Sequence, residues 1–146
     1  MFKKILYPTD FSDVANSAMA YLKQLKDAGL EEVVIMHVLD RNRHDPVTVF
    51  RGDNEAMLEI EKGWEESAMV KMNTIADELR EAGFKVKIRV ELDSPFRGIV
   101  KVEEDEDVSA TVIGSHGISN IQEMFLGSVA EKVIRKAKRP VLVVKR

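Results

Sequence analysis

Short apolar runs recur along the chain and alternate with stretches whose apolar residues have helical spacing. Residues 5–7, 33–39, 110–113 and 141–144 are almost continuously apolar, which is typical of parallel strands buried on both faces. Residues 85–90 instead alternate basic and apolar side chains. We therefore predict four buried strands and a further strand, third in chain order, that exposes one face at an edge of the sheet.

Helix signals fill the intervals between these strands. Ser12 precedes the first helical pattern as an N-cap, and Ser94, followed by Pro95, stands in the same relation to a later helix. The spacing of apolar residues predicts a helix over about residues 64–82 and a last helix over residues 129–138.

The order of these elements predicts the fold class. Strands and helices alternate from end to end, so we expect one α/β domain over residues 1–146, with a five-stranded parallel sheet and helices on both faces. Residues 40–63 are the least regular part, and we expect a long functional or flexible loop there, with residues 56–60 able to begin a helix.

Composition narrows the class of protein. The 146 residues suit a single globular domain, and a formal net charge of -3 gives no electrostatic reason to expect a nucleic-acid partner. The absence of cysteine excludes disulfides and thiolate metal sites. No apolar stretch approaches the ~20 residues that span a bilayer, so no membrane association and a cytoplasmic location are expected.

A spaced set of glycines lies between the fourth strand and the last helix. The chain reads G-S-H-G at residues 114–117 and, nine residues later, G-S-V at residues 127–129. Backbone N–H groups at a strand-to-helix junction, aided by the helix dipole, can bind an anion. Glycine also permits positive φ and a close approach of the backbone to a ligand. Ser128 followed by Glu131 fits a capping box, in which the serine hydroxyl either caps the helix or faces a phosphate.

The alternative for this region is a pair of ordinary turns, since two glycines spaced three apart are common. The complete spacing G-x2-G-x9-G-S is much more specific. With the opening K-I-L-Y-P-T-D-F-S at residues 4–12 and the closing R-P-V-L-V-V at residues 139–144, it resembles the universal stress proteins of the ATP-binding type. The resemblance extends over essentially the whole chain.

This resemblance implies a Rossmann-like sheet with strand order 3-2-1-4-5 and ATP in the crevice at the carboxyl ends of the strands. It places Asp10 near the adenosine, the backbone around Val38 at the adenine edge, and the glycine motif at the ribose and phosphates. The implied binding residues are Pro8, Thr9, Asp10, Val38, Gly114, Ser115, His116, Gly127, Ser128 and Val129, together with Gly117. Two alternatives stay open: Asp10 as a helix cap and His116 as a turn residue.

Other nucleotide-binding motifs are missing from the chain. The turn after the first strand, P-T-D at residues 8–10, lacks the G-x-G-x-x-G of dinucleotide-binding enzymes, and no G-x-x-x-x-G-K-[ST] occurs. The S-G-G-x-D-S, H-I-G-H and K-M-S-K-S signatures of adenylating enzymes are also absent. No catalytic residue can be named, because no nucleophile, base and orienting group form a visible set.

The resemblance therefore favours an ATP-binding switch or regulator of the stress response, at most a slow or partner-dependent ATPase. The alternative is a dimeric interaction module that binds no nucleotide. The residue after the glycine pair is Ile118, so no lysine stands there to neutralise phosphate. Phosphate binding is therefore expected to rely on backbone N–H groups and on Mg²⁺ or Mn²⁺.

The last strand predicts how copies of the chain assemble. The apolar strand Val141–Val144 is expected at a sheet edge that needs covering, and the resemblance implies a homodimer paired through it, beside a still unknown protein partner. The alternative is a strand buried under helices with a protected edge.

The acidic residues 103–107 are expected to form a solvated face, and the alternative is a metal site.

Overall fold

Strands and helices alternate through the part of the chain that our computed structural model describes, which comprises residues 2–40, 54–116 and 126–145. The elements are β1 (Lys4–Pro8), α1 (Asp13–Leu25), β2 (Glu32–Leu39), α2 (Asn54–Glu81), β3 (Lys85–Leu92), α3 (Pro95–Asp105), β4 (Ala110–Gly114), α4 (Ser128–Lys136) and β5 (Val141–Val144). The five strands form one parallel sheet in the order β3-β2-β1-β4-β5. The predicted α/β fold and its strand order are confirmed.

Two apolar layers hold the helices on the sheet. Side chains alternate along β1, so that Ile5 and Tyr7 face α1 and α2, whereas Leu6 faces α3 and α4. All three are buried, as are Leu22 of α1 and Val102 of α3 on the two opposite faces. Burial of both faces explains why the strand reads as a continuous apolar run.

Helix α2 is longer than predicted. It begins at Asn54 rather than near residue 64, so residues 54–63 of the expected loop are helical. The sequence gives little sign of this first part because, among the side chains described over residues 55–63, only that of Glu61 is buried, and Leu58 is 63% exposed. The rest of the predicted loop, residues 41–53, lies outside the described residues.

The predicted helix starts are confirmed at α1 and α3. The Ser12 hydroxyl accepts a hydrogen bond from the Ala15 N–H at 3.3 Å, which makes Ser12 the N-cap of α1. Ser94 is the N-cap of α3 and Pro95 its first residue, although the Ser94 side chain makes no capping hydrogen bond. Among the described helices, none is both long and apolar enough to cross a membrane.

The acidic run forms a solvated face only in part: Glu104, Asp105 and Asp107 are exposed, whereas the expectation is wrong for the other two acids. Glu103 and Glu106 are buried, with 1% and 7% of their surface exposed. Their burial is possible because α3 runs along the sheet and brings partners from distant strands. Glu103 accepts a hydrogen bond from the Thr111 hydroxyl at 3.1 Å.

Glu106 is surrounded by three basic side chains. Its carboxylate lies 3.2 Å from the Lys4 ammonium, 2.7 Å from that of Lys87 and 2.7 Å from the Arg89 guanidinium. Burial by itself would raise the pKa of Glu106, but the hydrogen bonds from these cations outweigh it and lower the pKa to about 2.

The remaining acids of the run are each paired with a basic residue. These ion pairs are Glu104–Lys138, Asp105–Arg89 and Asp107–Arg139. Across the described ranges, no three histidine or carboxylate side chains are arranged to hold a metal ion. The acidic run therefore fastens α3 and the turn after it to the neighbouring elements.

Candidate functional site

A cleft of about 630 Å³ opens at the carboxyl ends of β1, β2 and β4. From β1 the chain continues to β2 on one side, whereas β4 lies on the other side, so the strand order reverses here. Ligands of doubly wound sheets bind at such a reversal, and the volume is in the range of small-molecule sites. The floor comes from the strand ends, and α1, α2, α3 and α4 supply the walls.

The structure brings the residues predicted from the glycine motif and the strand ends to this one cleft. The lining includes Pro8, Thr9, Asp10, Val38, Gly114, Ser115, His116, Gly127, Ser128 and Val129. Gly117, the remaining predicted residue, lies outside the described residues. The contacts of these residues with a ligand stay a prediction.

Local hydrogen bonds shape the turn after β1. The Thr9 hydroxyl accepts from the Phe11 N–H at 3.0 Å, and the Asp10 carboxylate accepts from the Ser12 N–H at 3.0 Å. Phe11 adopts a φ of 64°, a left-handed conformation that is costly for a side chain of this size. The helix cap itself is Ser12, so the alternative that Asp10 caps α1 is wrong: Asp10 holds the turn that precedes it.

An aromatic and cationic stack stands on this turn. The Phe11 and His37 rings lie 4.5 Å apart between centroids, and His37 Nδ1 lies 2.7 Å from the Thr9 carbonyl oxygen. The Lys71 ammonium lies over the Phe11 ring, 5.1 Å from its centroid. Side chains from β2, the β1–α1 turn and α2 thereby meet at the cleft.

Gly114 does not adopt the positive φ that glycine permits, and it has a packing role beside its place in the cleft lining. Among the described glycines, positive φ occurs only at Gly29 and Gly83, so Gly114 is not in a left-handed conformation. A Cβ on Gly114 would lie 3.0 Å from Val14 Cγ1 and 3.3 Å from the Ala15 N atom. The glycine therefore lets the first turn of α1 pack closely on the end of β4.

The start of α4 also differs from the capping-box prediction. Gly127 is the N-cap, with φ of -69° and ψ of 156°, and Ser128 is the first helical residue. The Gly127 N–H donates to the Ser115 carbonyl at 2.6 Å, and the Ser115 N–H donates to the Val144 carbonyl at 2.8 Å. This pair of hydrogen bonds fixes the N-terminus of α4 to the end of the sheet. The first N–H groups of an α-helix have no acceptor within the helix, and residues 127–130 at this helix start line the cleft.

Ser115 and His116 follow β4 directly. Ser115 is fully buried, and its hydroxyl lies 2.8 Å from His116 Nδ1. This contact orients the His116 ring at the cleft, and its role there stays a prediction.

A glycine of α3 allows this helix to pack closely on the end of β2 at the cleft. A Cβ on Gly98 would lie only 2.8 Å from Val38 Cγ2. Helix α3 can therefore approach the strand end closely, and it contributes Pro95 and Ile99 to the lining. The sequence contains this glycine within a helix, but only the packing shows why it is there.

Sequence reasoning missed the wall that α2 supplies. Trp64, Ala68 and Lys71 lie at helical spacing on the side of α2 that lines the cleft. That spacing was available in the sequence, but the long connection between β2 and β3 gave no means of placing α2, which packs on β2 and β3, at the cleft.

The described lining offers hydrogen-bond donors rather than a catalytic set. It supplies backbone N–H groups, serine and threonine hydroxyls, and the acids Asp10, Asp13 and Asp40. Such a surface can bind an anionic, polar ligand and orient a hydrated cation.

Comparison with known proteins gives consistent matches along the chain. The family model described as "Universal stress protein family" matches residues 1–145. Universal stress protein MJ0577 of Methanocaldococcus jannaschii is 43% identical, over 100% of this chain and 96% of the relative. Universal stress protein MJ0531 of the same organism is 32% identical, over 100% of this chain and 84% of the relative.

Solved structures give the same result. A structure of the hypothetical protein MJ0577 has a TM-score of 0.88 and 44% identity, covering 100% of this chain and 97% of that one. A universal stress protein in complex with cAMP has a TM-score of 0.64 and 20% identity, with 99% and 97% covered. Another, from Archaeoglobus fulgidus in complex with dAMP, has a TM-score of 0.62 and 22% identity, with 99% and 98% covered. The last two likenesses show the fold alone.

Proposed function

Because the chain belongs to the universal stress protein family, we propose that it binds ATP in the cleft and acts as a nucleotide-dependent switch or regulator. The observation that carries this proposal is the convergence of the β1 turn, the end of β2 and the N-terminus of α4 on one cleft. The cAMP and dAMP complexes of two family members with the same fold support a nucleotide as the ligand class.

The proposed pose follows the chemistry of the lining. The N-terminus of α4 provides N–H groups and a positive dipole end for the phosphates, together with the Ser128 hydroxyl. The apolar side chains of Val38, Pro95 and Ile99 provide a surface for the base, and Asp10 is the lining acid proposed to meet the ribose hydroxyls.

A divalent cation fits this site only together with the ligand. The described residues contain no cluster of three acidic or histidine ligands, so phosphate oxygens would complete the coordination. Mg²⁺ and Mn²⁺ suit such an oxygen-rich set, in which one or two protein oxygens join the phosphates. When bound, the ion neutralises phosphate charge. The cleft residues Asp10 and Ser128 are the candidates to hold it.

Hydrolysis is proposed to be slow or to depend on a partner. Rapid phosphoryl transfer requires an oriented water and positive charge on the γ-phosphate. The motif itself contains neither a lysine nor an arginine. His116 and Ser128 can position a phosphate, but neither activates a water.

The proposal predicts that ATP stabilises the protein. At about 100 times the dissociation constant, ATP with magnesium should raise the free energy of unfolding by about 2.7 kcal/mol. For a chain of this size, that corresponds to roughly 5–10 °C in Tm by calorimetry. Mass spectrometry of the freshly purified, denatured protein should also detect adenine nucleotide. An unchanged Tm at millimolar ATP would instead favour an interaction module that binds no nucleotide.

We further propose that two copies pair through β5. This strand is an edge of the sheet, and Leu142 on it is 45% exposed, with Ile134 of α4 exposed by 43%. Apolar side chains on an uncovered edge strand favour association, and a two-fold axis makes the contact self-complementary.

Leu142→Lys should therefore yield monomers, because it places two like charges in the proposed contact. Light scattering at about 50 µM should detect a dimer for the parent protein, well above typical homodimer dissociation constants. Val70→Lys is the matched control, since Val70 is 69% exposed on α2, at the opposite side of the sheet. A parent protein that is monomeric under these conditions would exclude the dimer.

A further inference from the structure

The cleft is poor in fixed positive charge. Among the described side chains that line it, Lys71 carries the one lysine or arginine charge, against the three carboxylates Asp10, Asp13 and Asp40. A polyphosphate would meet repulsion from those acids unless cations offset it. Lys71 is therefore the described lysine or arginine of the lining that can offset this repulsion for an anionic ligand.

Lys71 is placed over the cleft by the packing of its helix. Its neighbours Ala68 and Met72 are buried, which anchors this part of α2 on the apolar layer, while Lys71 itself is exposed. The ammonium lies 5.1 Å from the centroid of the Phe11 ring. Phe11 is in turn fixed by its left-handed backbone and its contact with His37.

The Phe11 turn lies between the two ends of the proposed ligand. It directly follows Asp10, and it leads into the first turn of α1, which packs on Gly114 at the end of β4. Because β1 lies between β2 and β4 in the sheet, this turn stands between a base at the end of β2 and phosphates at α4 in the proposed pose.

We propose that Lys71 binds the phosphate bonded to the ribose, an inference that rests on the proposed nucleotide site. The Phe11 ring contacts one side of the ammonium and leaves its N–H donors available for phosphate oxygens. Lys71 thus supplies from α2 the cation that is missing after the glycine pair at residues 114–117. It is a binding residue, and it selects nucleotides over nucleosides.

The test compares ATP, ADP, AMP and adenosine in calorimetric titrations of Lys71→Met. A hydrogen bond to a charged phosphate is worth at least about tenfold in affinity, so all three nucleotides should weaken by about that factor. Adenosine should bind the variant as it binds the parent protein, because it lacks the phosphate. Lys71→Arg, which keeps the charge and the ring contact, should restore most of the nucleotide affinity.

Lys62→Met is the matched control, because Lys62 is an exposed lysine of the same helix that does not line the cleft. Its nucleotide affinities should equal those of the parent protein. Unchanged nucleotide binding by Lys71→Met, an equal loss for adenosine, or a loss for ATP alone would each overturn the inference while leaving the nucleotide site in place. A parent protein that binds none of the four ligands would overturn both.

Discussion

Gly127→Val is expected to weaken ATP binding by at least about 100-fold, the loss of several backbone contacts to phosphate. Gly127 is the N-cap of α4, and it lines the cleft where the phosphates are proposed to lie. A branched side chain there would keep the ligand away from the first N–H groups of the helix.

The same substitution should leave the fold intact. The φ of -69° and ψ of 156° at Gly127 are allowed for valine, and glycine makes no side-chain cap that could be lost. Gly127 does not adopt positive φ, so its expected contribution is room for the ligand and not an unusual backbone conformation. Gly117→Val changes another glycine of the same motif and should weaken ATP binding similarly; Gly117 lies outside the described residues.

Calorimetric titration with ATP measures the loss, and a urea unfolding curve checks the fold. Gly63→Val serves as the control, because a Cβ at that helical position would meet no atom within 4 Å and Gly63 does not line the cleft. ATP affinity of Gly127→Val equal to that of the parent protein would place the phosphates elsewhere.

Glu106→Gln is expected to lower the free energy of unfolding by about 3 kcal/mol at pH 7, in line with the lowered pKa of the carboxyl. The side chain of Glu106 is 5% exposed and contacts Lys4, Lys87 and Arg89. Replacement by a neutral amide leaves these three cations without their shared carboxylate. The loss is therefore larger than that of a surface ion pair.

The effect should depend on pH in a defined direction. The folded-state pKa of Glu106 is about 2, below its ordinary value of 4.5, so its contribution is fully present above pH 4.5. It is lost as the pH falls through the folded pKa, because the carboxylate is then protonated in both states. The difference between the parent protein and the variant should consequently shrink between pH 4.5 and pH 2.

Urea unfolding of both proteins at pH 7, 4.5 and 3 measures this difference. Glu104→Gln is the control, since Glu104 is 51% exposed and its ion pair with Lys138 lies at the surface. That variant should change little at any of these pH values. A difference for Glu106→Gln that stays constant from pH 7 to pH 3 would contradict an ionic origin.

The sequence by itself determined the order of elements and the place of the site. Apolar runs and helical spacing depend on the residues of one element and on how deeply it is buried, and both are visible locally. The strand order 3-2-1-4-5 and the assignment of the glycine spacing to ATP came from resemblance to a family. The described motif residues do share one cleft, because parallel strands direct their carboxyl ends to the same side of the sheet.

Only the tertiary structure decided which residues meet across the fold. Glu106 and Lys4 are 102 positions apart in the sequence, and they meet only because the end of α3 lies near the start of β1. The absence of a Cβ on Gly114 also admits the first turn of α1, a contact that the glycine spacing alone did not indicate. Lys71 reaches Phe11 only because the long helix α2 returns over β2 to the cleft. Local patterns predict elements and their faces, whereas such contacts depend on how close separate elements approach, which no single stretch of sequence specifies.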